Sequence, residues 1–195
     1  MTTSFLQNVP FFVIENKDHQ NVLRSISHPV TFPLSQEDKE LIKTLKHKVN
    51  ITEFCGGLAA PQIGISKRII AFQVMEKVLK FRRDVEFLMP MTILINPSYM
   101  PHAEEGKSLD WEGCFSVQSQ MGKVWHFKTI TYFGQTEEGE SIEGIARGYL
   151  ARLLQHEIDH LDGKLAIDFY DPLSPRGPLE EMRKIRLKEI EDLQS

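Results

Sequence analysis

The chain has 195 residues, and its 23 basic and 27 acidic side chains leave a net charge of −4. A length and a composition of this kind (41% hydrophobic, 26% charged) describe an ordinary globular domain that buries a core without covalent staples. The acidic balance gives no direct nucleic-acid footprint, and two cysteines are too few for a disulfide framework.

The first residues, "MTTSFLQNVPFFVIENK", have no basic region ahead of an apolar run. The run is also too short for a signal peptide or a membrane span, which predicts a cytoplasmic chain with no membrane partner. Ser35, with Asp38 three residues on, resembles a capping box and opens a predicted helix over 36–48. Leu41, Leu45 and Val49 form its apolar stripe. "RIIAFQV" (68–74), "MTILINP" (91–97) and "KTITYF" (128–133) read as strands, and "QTEEGES" (135–141) as a hairpin turn. No proline interrupts 144–161, and leucines recur at 150, 153, 154 and 161, so that segment is predicted helical. "DPLSPRGP" (171–178) is a breaker-rich linker, and 179–194 reads as a second amphipathic helix through Leu179, Met182, Ile185 and Ile190. Strands first and a long helix late predict an α+β fold. Its mixed or antiparallel sheets would surround a buried C-terminal helix, with a further helix toward each end. The domain division is 1–170 for the catalytic unit and 171–195 for linker and tail helix.

The late helix carries "QHEIDH" (155–160). Residues four apart share one helical face, so His156 and His160 can turn ring nitrogens toward one metal ion. Glu157 then stands beside them in the place of a general base, which is the mechanical content of H-E-x-x-H. The bland alternative is a pair of solvated surface histidines. Leu153, Leu154, Ile158 and Leu161 argue against it, because they make the helix apolar on more than one side. A site of this kind needs a third protein ligand. One class would place a third histidine where Ala166 stands. Another would use a downstream glutamate such as Glu180, across a segment crowded with proline and glycine. The remaining source is Cys114 in "WEGCFSV", preceded by Gly113, which permits a close backbone approach.

Three motifs now stand in order: "CGGLAAPQ" (55–62), "EGCFS" (112–116) and "QHEIDH" (155–160). Together they resemble the signatures of the peptide deformylase family. "VLRSISHPV" (22–30), "INP" (95–97) and "GYLARLLQHE" (148–157) extend the resemblance over most of the chain to about Tyr170. The resemblance implies metal ligands Cys114, His156 and His160, and an acid/base at Glu157. It implies that the Gln62 amide and the Phe115 backbone N–H hold the formyl oxygen, and that Gly57 pairs its backbone with a substrate lying like an added strand. The implied cofactor is one divalent ion, Fe(II) natively, with Zn, Ni or Co able to use the same ligands. The implied reaction removes formate from N-formylmethionyl nascent peptides. The alternative is a deformylase-like paralogue with altered substrate or weak turnover.

Several positions depart from the family pattern. Cys55-Gly56-Gly57 places glycine where the family has a bulky apolar residue, which predicts a roomier methionine pocket. Cys55 is expected to be a packed core residue rather than half of a redox bridge. Gln118, Met121 and His126 replace a proline and two arginines, and His126 falls where an arginine can pair with Glu112. Residues 76–90 look like an insertion. The tail helix carries Arg183, Lys184, Arg186 and Lys188 against Glu180, Glu181, Glu189, Glu191 and Asp192, so its charge does not support ribosome association through RNA.

Overall fold

The computed structural model describes residues 9–192. The first eight residues, part of the stretch read as lacking a leader, and the last two of the helix expected over 179–194 lie outside them. No helix among the described residues is long and apolar enough to cross a membrane.

A short helix that periodicity missed, α1 (Lys17–Leu23), is capped by the Asn16 side chain. Helix α2 (Gln36–Ile51) opens on the expected capping box, in which Asp38 N–H donates to Ser35 Oγ and Ser35 N–H donates to Asp38 Oδ2. Then come β1 (Gly57–Ala59), a single 3₁₀ turn over Ala60–Ile63, β2 (Ile69–Val74) and β3 (Met89–Pro101). Strand β2 is buried on both faces, which explains its unbroken apolar sequence. Ile69 and Ala71 face α2, while Ile70 and Phe72 face the later helix.

Next come β4 (Lys107–Cys114), β5 (Val117–Phe127), β6 (Thr129–Gln135) and β7 (Ser141–Arg147). Helix α3 (Gly148–Leu161) follows, then β8 (Arg176–Pro178) and α4 (Leu179–Asp192). One sheet has the order β1-β2-β3-β6-β7 and the other β4-β5-β8. Every strand pair in both sheets is antiparallel, as the α+β reading requires. Helix α3 is buried along nearly its whole length. It packs Leu150, Leu154 and Ile158 against the larger sheet. From its other side Gln155 clasps the backbone of Phe127 at the end of β5, accepting from the N–H at 3.0 Å and donating to the carbonyl at 2.9 Å.

Two expectations are corrected. Residues 144–147 are strand, not helix: β7 pairs with β6 from Ser141 to Arg147, and buried Ala146 sits opposite Ile130. The corner into α3 is Gly148, at φ +53°, where an added Cβ would collide with the Asp84 carbonyl oxygen. The segment 171–178 is not a free linker, since its last three residues pair with β5 as β8. Gly148→Ala is expected to lower stability by more than about 1 kcal/mol, because the backbone is left-handed and the added methyl meets backbone. Denaturant unfolding checks this, and an unchanged midpoint would contradict the packing described.

Candidate functional site

The tight turn between β4 and β5 spans Phe115 and Ser116, so Cys114 ends one strand directly opposite Val117 on the next. That placement aims the thiol at α3. Cys114 Sγ lies 3.2 Å from His160 Nε2 and accepts from Ser116 N–H at 3.4 Å and Gln62 Nε2 at 3.7 Å. Ligand atoms of Cys114, His156 and His160 all lie within 4.8 Å of one another. The two imidazole rings meet edge-on, with centroids 5.0 Å apart. Glu180, the alternative third ligand, instead pairs with Arg183 on the exposed face of α4.

A cation fits this donor set. A buried polar atom of the same cluster, Glu157 Oε2, has no hydrogen-bond partner among the described residues. Burial, reinforced by the nearby His156, holds His160 well below the ordinary histidine pKa, which leaves it a neutral lone-pair donor. Burial alone would also lower His156. Hydrogen bonds and charge from Cys114 and Glu112 outweigh it and hold that ring well above its ordinary value. Positive charge is thus favoured at His156, as a metal held there would supply it.

The carboxylate behind this arrangement is Glu112. Its Oε2 accepts from His156 Nδ1 at 2.9 Å. Its Oε1 receives Arg152 Nη1 at 2.5 Å and His126 Nε2 at 3.2 Å. Burial would raise the Glu112 pKa, but charge and hydrogen bonds from His126 and His156 hold it well below the ordinary carboxylate value. The expected pairing of His126 with Glu112 is therefore present. The arginine absent from β5 has a counterpart on α3. Sequence reasoning missed Arg152, although the signal was there: an arginine one turn before His156, inside a helix otherwise buried, must find a carboxylate.

Glu157 points across to β1. A Cβ on Gly57 would come within 2.7 Å of Glu157 Oε1, so glycine is what makes room for the carboxylate. Burial pushes the Glu157 pKa up to about 7, with His156 opposing the rise and Glu112 adding to it. A carboxyl poised there suits proton transfer near neutrality. Gln62 is fixed by its own Oε1, which accepts from Ala59 N–H at 2.8 Å and leaves Nε2 facing the thiol. Phe115 stacks on Phe11 at 4.8 Å. Gly56, Gln62, Cys114, His156 and Glu157 all line one cavity of about 730 Å³.

The position of Gly56 corrects an expectation. A Cβ there would lie 2.6 Å from Tyr149 Oη and 3.4 Å from Leu153 Cδ1, so the tyrosine fills volume that the glycine would otherwise leave open. Cys55 packs in the core and its thiol hydrogen-bonds the Gly57 carbonyl at 3.2 Å. Burial pushes the Cys55 pKa up to about 12, and both cysteines are free. The segment read as an insertion docks by Arg82, which pairs with Asp110 and donates to the Trp111 carbonyl at 2.8 Å.

The family model for polypeptide deformylase matches residues 14–176 of this sequence. The chain belongs to that family. It is 45% identical over 184 residues to peptide deformylase 2 of Rickettsia conorii, covering 92% of this chain and 90% of that protein. Peptide deformylase 2 of Geobacillus stearothermophilus is 34% identical, with coverage of 84% and 90%. The crystal structure of the Thermotoga maritima peptide deformylase superposes with a TM-score of 0.68 at 30% identity, covering 84% of this chain and 98% of that one. A Met-Ala-Ser-bound peptide deformylase from Acinetobacter baumannii gives a TM-score of 0.68 at 27% identity, with coverage of 82% and 97%. The family is one of metalloenzymes, and the cluster of Cys114, His156 and His160 is a group able to hold its metal.

The Glu112 network makes Arg152 a sensitive position. Arg152→Met leaves a buried carboxylate with one cation fewer and is expected to destabilise the protein by about 3–5 kcal/mol. Adding Glu112→Gln should recover part of that loss, because the unpaired charge goes with it. Urea unfolding of both variants reads the difference, and a loss under about 1 kcal/mol in Arg152→Met would show that the pair is not what secures the helix.

Proposed function

We propose that this site hydrolyses the N-formyl amide of formylmethionyl peptides, releasing formate and a free amino terminus. The observation that carries the reading is the convergence of Cys114, His156 and His160 on one point, with Glu157 buried beside them, in a chain of this family. The Met-Ala-Ser peptide held by the Acinetobacter baumannii relative is of the product class and supports the same reading.

The metal would be held by the Cys114 thiolate and the His156 and His160 imidazoles. Bound there, a divalent ion supplies Lewis acidity toward the formyl oxygen and the attacking water, with Fe(II) the ion the resemblance favours and Zn, Ni or Co fitting the same donors. Glu157 takes the proton of the attacking water and returns it to the leaving amine, a double duty suited to a carboxyl raised to about 7. Gln62 Nε2, already turned toward the thiol, and the Phe115 N–H donate to the oxygen of the formyl group as negative charge develops. Strand β1 is the edge of its sheet, so the side of Gly57 away from β2 can pair with a substrate backbone. Glu112 orients His156 by accepting from Nδ1, which leaves Nε2 for the ion.

Formate release from formyl-Met-Ala-Ser by anaerobically metallated protein tests the proposal. Glu157→Gln is expected to retain its metal and lose about a hundredfold or more in rate. Full activity in that variant would remove Glu157 from the chemistry. Metal analysis separates the ligands: Cys114→Ser, His156→Ala and His160→Ala should each lose the ion, while Glu180→Ala keeps it. The reverse pattern for Cys114 and Glu180 would replace this ligand set.

A further inference from the structure

The cavity that holds the metal donors does not end with them. Tyr149 and Arg82 line it too, as do Arg183 and Arg186 of α4. Arg186 is partly buried there, and among the described residues it makes no hydrogen bond and no ion pair. The acids within its reach are already engaged. Asp110 pairs with Arg82 and accepts from Trp111 N–H at 2.6 Å. Glu189, on the same helix, accepts from Trp111 Nε1 at 2.7 Å and Lys123 Nζ at 2.9 Å. Glu112 is held by Arg152, and Glu180 by Arg183. Glu53, which also lines the cavity, pairs with neither arginine of α4.

Arg186 is thus a guanidinium with no directly paired carboxylate among the described residues, in a lining rich in cations; the charge of Asp110 acts on it, but that carboxylate is in direct contact with Arg82. Burial, and then repulsion from Arg82, hold its pKa below the usual guanidinium value. Tyr149 lines the same cavity. Its ring lies 5.2 Å from the Arg82 guanidinium carbon, its hydroxyl faces Gly56, and that hydroxyl has no hydrogen-bond partner among the described residues. Two sets of unpaired donors therefore open into one cleft, and an anionic acceptor satisfies both.

We infer that Arg186 and the Tyr149 hydroxyl form an anion subsite at the α4 end of the cleft, which takes a carboxylate carried by the formyl-peptide. The identity of the ligand rests on the deformylase reading above. The site makes this enzyme favour an acidic formyl-peptide over its neutral counterpart, with the acid beyond the first methionine or, in a peptide that lacks that methionine, on the first side chain.

The test separates those two sources, and it separates the subsite from the reaction. Two pairs of amidated peptides are compared on metallated protein. One pair is formyl-Glu-Ala-Ser against formyl-Gln-Ala-Ser, and the other is formyl-Met-Ala-Glu against formyl-Met-Ala-Gln. The deformylated peptides are titrated by calorimetry, which reads the subsite whether or not formate is released. In at least one pair the acidic member is expected to bind about five- to tenfold more tightly and to show a kcat/KM higher by a similar factor. Arg186→Gln should bring that ratio to about one, Arg186→Lys should restore part of it, and added salt should shrink it in the unmodified protein. Ratios near one for both pairs in the unmodified protein would overturn the subsite, as would a preference that survives Arg186→Gln in a variant of unchanged thermal stability. Absence of formate from every peptide, with the binding preference intact, would count against the reaction and leave the subsite standing.

Discussion

The structure depends on one buried carboxylate. Glu112 sits on β4 two residues from Cys114, and it reaches across to α3, where it meets Arg152 and His156. It also holds His126 on β5. A carboxylate in that position is costly unless it is fully paired, so the network determines how the small sheet and the helix can dock. The docking is what brings a thiol from a hairpin turn to two imidazoles on a helix. The three proposed metal donors come from distant parts of the sequence, and Glu112 touches both parts.

Close packing does the rest. The larger sheet needs a glycine at position 57 because Glu157 lies against it, and that contact keeps the carboxylate beside the edge strand. On the opposite side, the segment after β2 and the helix α4 meet the small sheet around Trp111. Arg82 donates to the Trp111 carbonyl, Glu189 accepts from its indole N–H, and Met121 and Met182 pack around the ring. Helix α4 is thereby fastened beside the cleft, and its arginines become part of the cleft's chemistry.

Much of this was legible in the sequence. The capping box of α2, the buried run of β2 and the paired histidines of α3 each follow from a local rule, and each stands where that rule put it. The hairpin β4–β5 was not legible as strands. "KSLDWEGC" and "VQSQMGKVWHF" are rich in polar residues because both take part in the Glu112 network, through Glu112 and His126, and both border the cleft. Functional demands overwrote the alternation that marks an ordinary half-buried strand. The start of α3 was misread for a different reason: no proline marks the boundary, and only the left-handed backbone of Gly148 ends β7. Tyr149 went unread because sequence shows that Gly56 lacks a side chain but not which neighbour takes the space.

The central claim is that Glu112 sets the geometry of the metal donors from behind, without being a ligand itself. It is tested most directly by the rate at which the metallated protein loses its ion to a chelator, compared between the unmodified chain and Glu112→Gln. The account predicts that the variant folds with the same circular dichroism spectrum but holds the metal about 10- to 100-fold less tightly, as expected when a carboxylate behind a histidine ligand is removed. Metal retention equal to that of the unmodified protein would contradict it.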